Sequence, residues 1–293
     1  MKKLFLLLTS LHVFSFATFS LAPPTQAVEI KMEYDQKGNL MVFAKNKDFC
    51  EYYLSIILSE ITGSDISTFP YSATINKGDR KLFTIKRVSD YTYPNGRVTY
   101  MAYRGKMNPK INPDFIYSFP VKPGDSIRVS PVGNADFTLS FDLSFAGDTV
   151  YACREGYVCD DKLTDQTSKG SVVSARIIVN HKDGTFSEYS QFEKSLVYPG
   201  EYVKLGQPIA INTGKTLPKK IINFAVYYLD KNKVQNRETG SKYSHIVPVF
   251  HTLNAGDIKL EANTTYIGEM SDHLITQEMS EKEKKKYEKN KGK

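Results

Sequence analysis

The sequence contains no tryptophan, and among its 293 residues are only three cysteines and five histidines. One histidine, His12, falls within the first 27 residues, which leaves four for the rest of the chain and little material for a metal centre. Cys50, Cys153 and Cys159 are an odd set, so they cannot all pair with one another, and none has the spacing of a zinc knuckle. Beyond the N-terminus no apolar run is long enough to span a bilayer, which takes about 20 residues. No internal repeat is visible, which excludes solenoids and propellers. Amphipathic segments of helical period are also missing until the charged tail. The body of the chain lacks net charge. Of the formal +7, residues 1–27 contribute +2 and residues 280–293 contribute +4, leaving +1 between them. Binding of nucleic acid by the body therefore has no electrostatic basis. The lysine-rich tail would suit an acidic surface such as phospholipid headgroups or wall polymers, or would simply be solvated.

What is present points to β structure. Aromatic content is 12%, made of 19 Tyr and 17 Phe, and short apolar runs are punctuated by Gly, Pro and Asn. Lys2 and Lys3 precede the apolar run Leu4 to Leu8, and a further apolar stretch leads to Thr25-Gln26-Ala27. This reads as a secretory signal ending at Ala27, the alternative being an uncleaved anchor; the mature chain is expected in the periplasm or cell envelope, with no transmembrane segment.

Residues 28–115 are expected to form a first β domain. "VEIKMEYDQKGNLMVFAKN" is two alternating strands around Lys37-Gly38-Asn39, and "RKLFTIKRV" and "VTYMAYRG" are further strands separated by "YPNG". "YYLSIIL" is compatible with either a strand or a helix segment. The spacing fits an immunoglobulin-like sandwich. Residues 116–134 form a connection, and from 135 to 252 the strands become more regular. Residues 253–293 are a C-terminal extension whose tail would make a helix burying no face. Cys153 and Cys159 flank a turn at Glu155-Gly156 that sets Cys153 beside Val158 rather than opposite Cys159. A bond between the two remains open, and a buried, unreactive thiol is the default expectation for each cysteine. Gly214-Lys215 in "INTGK" lacks the rest of a phosphate-binding loop.

"GDTVYACREGYV", "VNHKDGTFSEYSQF", "YPGEYVKLGQPIAINTG" and "INFAVYYL" follow in an order and spacing that resemble the lysostaphin-type zinc endopeptidases. The resemblance covers residues 135–252. Less specifically, the first domain, with "NKDFCEYYL", resembles the β domain preceding such peptidase domains in some Gram-negative envelope proteins. The family resemblance implies an all-β fold that in active members cuts peptide crosslinks of peptidoglycan. That chemistry uses three protein ligands, His, Asp and His, which leave one zinc position open for a water whose pKa falls to about 7. A further histidine then moves protons and steadies the oxyanion.

Carried across residue by residue, the resemblance finds none of these groups. The first His and the Asp belong in "DFTLSFDLSF", which has no histidine; the Asp position falls on Ser140 or Phe141, with Asp142 the nearest carboxylate. The catalytic His falls on Gln191, and the closing His-x-His falls on Ile221 and Asn223. Neutral amides are poor zinc ligands and no general base. His181, His245, His251 and His273 have no spacing that converges on a metal, and Asp183 and Glu188 read as a turn acid and an exposed strand acid. No catalytic or metal-binding residue is therefore assigned, and no cofactor is expected.

Three functions remain open. One is a non-catalytic envelope module binding peptidoglycan peptides, or regulating an envelope hydrolase, through a vestigial groove of Tyr189, Gln191, Ile221 and Asn223. Tyr151, Tyr157, Tyr227 and Tyr228 would line that groove or serve as core. The second is an active zinc endopeptidase with an unusual ligand set, and the third is a structural scaffold without a groove.

Overall fold

The structure, a computed structural model, describes residues 27–130, 138–159, 175–215, 220–236 and 241–291. Its N-terminal part is built from β1 (Val28–Tyr34), β2 (Leu40–Asn46), β3 (Tyr52–Thr62), β4 (Phe69–Ile75), β5 (Gly78–Ile85) and β6 (Asn95–Arg104). In β2 every second side chain is buried, as alternation over one core requires. "YYLSIIL" resolves to strand: β3 alternates in the same way, with Leu54, Ile56 and Leu58 inside and Ile57 outside. Two three-stranded antiparallel sheets, in the orders β1-β2-β5 and β4-β3-β6, share a core of Val28, Ala44, Tyr52, Leu54, Ile56, Ile75 and Ala102.

The chain then runs through β7 (Ile116–Tyr117), β8 (Ser126–Ser130), β9 (Leu139–Asp142), β10 (Thr149–Tyr151), β11 (Gly156–Val158), β12 (Ala175–Asn180) and β13 (Phe186–Phe192). It continues with β14 (Lys194–Ser195), β15 (Tyr202–Val203), β16 (Pro208–Ile211), β17 (Ile221–Leu229), the short helix α1 (Lys231–Gln235) and β18 (Tyr243–Ile246). Last come β19 (Val249–Thr252), β20 (Gly256–Lys259), β21 (Thr265–Ile267), α2 (Asp272–Thr276) and α3 (Glu281–Lys291). Among the described residues the protein is all-β apart from these short helices; α3 buries no residue.

Among the described residues, the dominant sheet is antiparallel with the order β15-β11-β12-β13-β17-β9-β8-β21, and β18 pairs with the far half of β17. The turn between β12 and β13 is closed by His181 N–H donating to the Thr185 carbonyl at 2.9 Å. Gly184 takes φ +89° there, and a Cβ at that position would stand 2.8 Å from Pro109 Cβ, so the turn needs glycine twice over. One face of the sheet carries a large apolar core that includes Phe119, Phe141, Tyr189, Phe224 and Phe250.

The expected cysteine state is corrected. Cys159 is bonded to Cys50, 109 residues away, with a Cα–Cα distance of 5.4 Å. Cys153 is a buried free thiol. The bond ties the loop between β2 and β3 to the end of β11, within a small apolar cluster of Ile178 and Phe186. That loop is shaped by its own side chains. Asn46 Nδ2 donates to the Cys50 carbonyl (2.8 Å), and Cys50 N–H donates to Asp48 Oδ1 (3.3 Å). Asp48 is wholly buried and accepts from Arg104 Nε at 3.0 Å and from the Tyr52 hydroxyl at 3.2 Å. The Arg104 carbonyl in turn accepts from the Tyr243 hydroxyl at 3.0 Å, which links β6 to β18.

Candidate functional site

The two central strands of the large sheet, β13 and β17, sort the candidate residues by side-chain alternation. Tyr189 lies opposite Phe224 and faces the core; its ring meets Phe224 edge-on at 5.1 Å and its hydroxyl accepts from the Cys153 N–H at 2.7 Å. The other face carries Ser190 opposite Asn223, and Asn223 opposite Ser140 of β9. Ile221 is two residues from Asn223 on that same face, opposite Asp142. The structure thus brings Asn223 and Ile221 together with two hydroxyls, Ser190 and Ser140, and places Tyr189 on the opposite side of the sheet.

Gln191 stands at the end of this row with an unusual backbone. The register slips between Ala175 and Arg176, so that Arg176 pairs with Ser190, Ala175 pairs with Phe192, and Gln191 is the extra residue of a bulge. Its φ is +69°, the left-handed region that side-chain-bearing residues avoid at a cost of about 1–3 kcal/mol. A buried side chain that sequence reasoning passed over holds it there. Asn212 Nδ2 donates to the Gln191 carbonyl and to the Ile221 carbonyl, both at 2.7 Å. Asn212 Oδ1 also accepts from Gly214 N–H at 3.0 Å, a local Asx turn signalled by the "NTG" spelling. Nearby, Glu193 accepts from Thr213 N–H and Oγ1 and from Lys215 N–H, so the "INTGK" loop is clamped to the start of β14.

The positions where the resemblance would put zinc ligands do not suit a metal. Ser140, Ile221 and Asn223 supply a hydroxyl, an alkyl group and an amide, Phe141 is in the core, and the position of the further histidine carries the amide of Gln191. Among the described residues no three His, Cys, Asp or Glu side chains are grouped to hold a metal ion; Asp136 and Phe137 of "DFTLSFDLSF" lie outside them. Asp142 Oδ1 caps its own turn through Ser144 N–H at 2.9 Å. His251 contacts Asp257 and Glu269, His245 meets the Tyr227 ring edge-on, and His273 lies on α2. Glu188 meets Arg176 at 3.9 Å and accepts from the Tyr227 hydroxyl at 3.3 Å. Of the candidate aromatics, Tyr227 stacks on Phe186, and Tyr157 pairs with Tyr202 at the edge of the sheet. Both lie toward the opposite end of the strands from Gln191.

His181 is buried, with Nδ1 at 2.7 Å from the Glu155 carbonyl and Nε2 at 2.6 Å from Ser187 Oγ. Burial, followed by the charge of Arg154, pushes its pKa down to about 3. The folded state therefore refuses a proton that the unfolded chain takes up near pH 6.5. The stability that this neutral ring maintains is complete above pH 6.5 and falls by about 1.4 kcal/mol per unit as pH drops toward 3. Burial raises the Asp183 carboxyl, but Arg154 and the Thr185 hydrogen bonds hold it below its ordinary range, so its contribution is complete above about pH 4 and is lost below that. Urea unfolding at pH 7, 6, 5 and 4 should show this slope, and His181→Gln should flatten it; equal slopes in the two proteins would exclude His181 as the acid-sensitive group.

No family model matches the sequence, and no curated protein does. Solved structures similar to it in part include the following three. One is described as a novel M23 metalloprotease, pseudoalterin, from the deep sea: 14% identity and TM-score 0.31, over 54% of this chain and 96% of that one. Another is Csd3 of Helicobacter pylori, at 12% identity and TM-score 0.28 over 92% of this chain and 77% of that one. The third is a zinc-containing peptidase from Vibrio cholerae, at 14% identity and TM-score 0.23 over 68% and 82%. At TM-scores this low the likeness gives no residue a role. The fold and the site by themselves define an all-β protein whose central sheet carries Ser140, Asn223 and Ser190 in a row that continues to Arg176.

Proposed function

We propose that this chain is a non-catalytic, peptidase-like protein of the cell envelope that binds peptidoglycan peptides. The observation that carries the reading is Gln191, a side-chain-bearing residue kept in a left-handed bulge by the buried Asn212 clamp where glycine would avoid the cost. A left-handed residue other than glycine beside Ser190 and Asn223 is the outlier from which the functional reading starts. Each amide of Gln191 and Asn223 offers both a donor and acceptors, which matches a peptide unit, and Ser190 extends the row. None of these groups activates water, which supports binding without hydrolysis. Export is supported by the leader-like N-terminus and by the Cys50–Cys159 bond, which persists in an oxidising compartment.

Titration calorimetry of the purified chain with a soluble crosslinked peptidoglycan peptide tests this. Saturable binding is expected, and Gln191→Gly should weaken it at least tenfold. The same substitution should leave stability unchanged or raise it by up to about 1 kcal/mol, because it relieves the left-handed backbone. Equal affinity of the two proteins would sink the reading. So would about one zinc per purified chain together with release of new amines from the peptide.

A further inference from the structure

A second polar site lies at the other end of β13, roughly 17 Å from Gln191 at about 3.4 Å per residue. Its centre is Arg154, only 2% exposed. The body of the protein holds one side of the guanidinium. Nη1 donates to Asp183 Oδ2 at 3.0 Å, to Thr185 Oγ1 at 3.2 Å and to the Tyr117 hydroxyl at 3.4 Å, and the Phe115 ring stacks 3.6 Å from Cζ. These groups fix the plane of the side chain and leave its Nε–Nη2 edge directed outward.

That edge is filled from the C-terminal segment. Glu278 takes it in bidentate fashion, Oε2 accepting from Nε at 3.0 Å and Oε1 from Nη2 at 2.6 Å. The preceding residue behaves like a peptide unit. Gln277 Nε2 donates to the Ile116 carbonyl at 2.9 Å, while its Oε1 accepts from the Ile116 N–H at 3.0 Å. Ile116 belongs to β7, which pairs with β19, so Gln277 completes its main-chain hydrogen bonds as an added strand would.

The segment that supplies this amide and carboxylate is otherwise held thinly. In α2 the only buried side chain is Leu274, and α3 buries none. Tyr287 and Lys291 of α3 reach back to Asp272 through exposed contacts, which contribute little. The seat is also imperfect. A cavity of about 20 Å³, room for a single water, remains between Phe115, Ile116 and Leu205 on the body and Leu274 and Ile275 on the strap.

We propose that the outward edge of Arg154 and the Ile116 main chain form a recognition site for a peptide bearing a free carboxylate beside an amide, and that the C-terminal strap occupies this site in cis. The guanidinium is oriented by body residues alone, so it stays poised when Glu278 leaves. Its two vacated N–H groups then call for another carboxylate, since Asp183 takes only the Nη1 side and the Nε–Nη2 edge matches a carboxylate in bidentate fashion. The strap acts as a tethered competitor, so an external ligand has to exceed its effective concentration, which is millimolar for short tethers. The site is independent of the Gln191 row.

The full chain carrying Glu278→Ala tests this with N-acetylglycine as probe and N-acetylglycinamide as the uncharged control. N-acetylglycine should bind the variant saturably, raise its Tm, and do so at least tenfold more tightly than it binds the unaltered protein; the amide should do neither. If Glu278→Ala fails to fold, hydrogen exchange on the unaltered chain serves instead. There N-acetylglycine should speed exchange in residues 272–291 while leaving β12 and β13 unchanged. Absence of saturable binding to the variant, or of any effect on strap exchange, makes Arg154–Glu278 a structural ion pair only and overturns the proposal. Acetate binding as tightly as N-acetylglycine overturns the peptide class.

Discussion

Replacing Cys50 and Cys159 together by alanine is expected to lower the unfolding free energy by about 5 kcal/mol. The two residues are 109 apart in sequence, and closing a loop of that length in the unfolded chain removes about 16 cal/mol/K of entropy, or about 4.8 kcal/mol at 25 °C. Both sulfurs lie in an apolar cluster with Ile178 and Phe186, so alanine leaves no unsatisfied polar group behind and adds only a small void. Urea unfolding of the oxidised chain, the chain with reductant, and the double variant would measure the effect, the last two agreeing. A difference below 1 kcal/mol would mean that the bond does not constrain the unfolded chain. Thiol titration in denaturant without reductant should find one thiol, Cys153; a pairing of Cys153 with Cys159 would instead leave Cys50 free.

Arg104→Ala should cost about 3–5 kcal/mol, because it strands the wholly buried Asp48 carboxylate. Asp48 receives Nε at 3.0 Å and Nη2 at 2.9 Å from Arg104, and it also orders the Cys50 N–H and the Tyr52 hydroxyl. Removing the cation leaves a charge among groups that cannot neutralise it. Asp48→Asn combined with Arg104→Met should cost clearly less than Arg104→Ala alone, since neither side chain then carries an unpaired charge. Chemical denaturation of the single and combined variants separates these cases. A cost under 1 kcal/mol for Arg104→Ala would mean that water reaches Asp48. Because Asp48 and Cys50 shape one loop, the losses from the two experiments should not simply add.

The strands were the most legible part of the chain. "LMVFAKN" shows its burial by alternation, and Lys37-Gly38-Asn39 announces a turn that the structure contains. "YYLSIIL" was ambiguous because seven apolar or small residues satisfy both periods; pairing with β4 and β6 decided it. In the candidate site, Asn223 and Ile221, which the resemblance singled out together, do share one face of β17. Tyr189 does not join them, because the faces of β13 and β17 depend on their mutual register, which puts Tyr189 opposite Phe224. Asn212 and the Gln191 bulge escaped altogether. Each is defined by hydrogen bonds between segments about 10 to 20 residues apart; the "NTG" spelling signals the local turn at Asn212 but not the bonds it makes to Gln191 and Ile221.

By itself, then, the sequence determined an all-β chain and the positions of many of its strands and turns. All of these are properties of residue type and of period two, which act over a few residues. The tertiary structure alone decided that Cys159 joins Cys50, that Arg104 neutralises Asp48, and that Arg154 receives Glu278 from 124 residues away. Those contacts bring together groups with no local preference for one another, and they form only once the sheets have removed the intervening chain from water and left buried charges in need of partners.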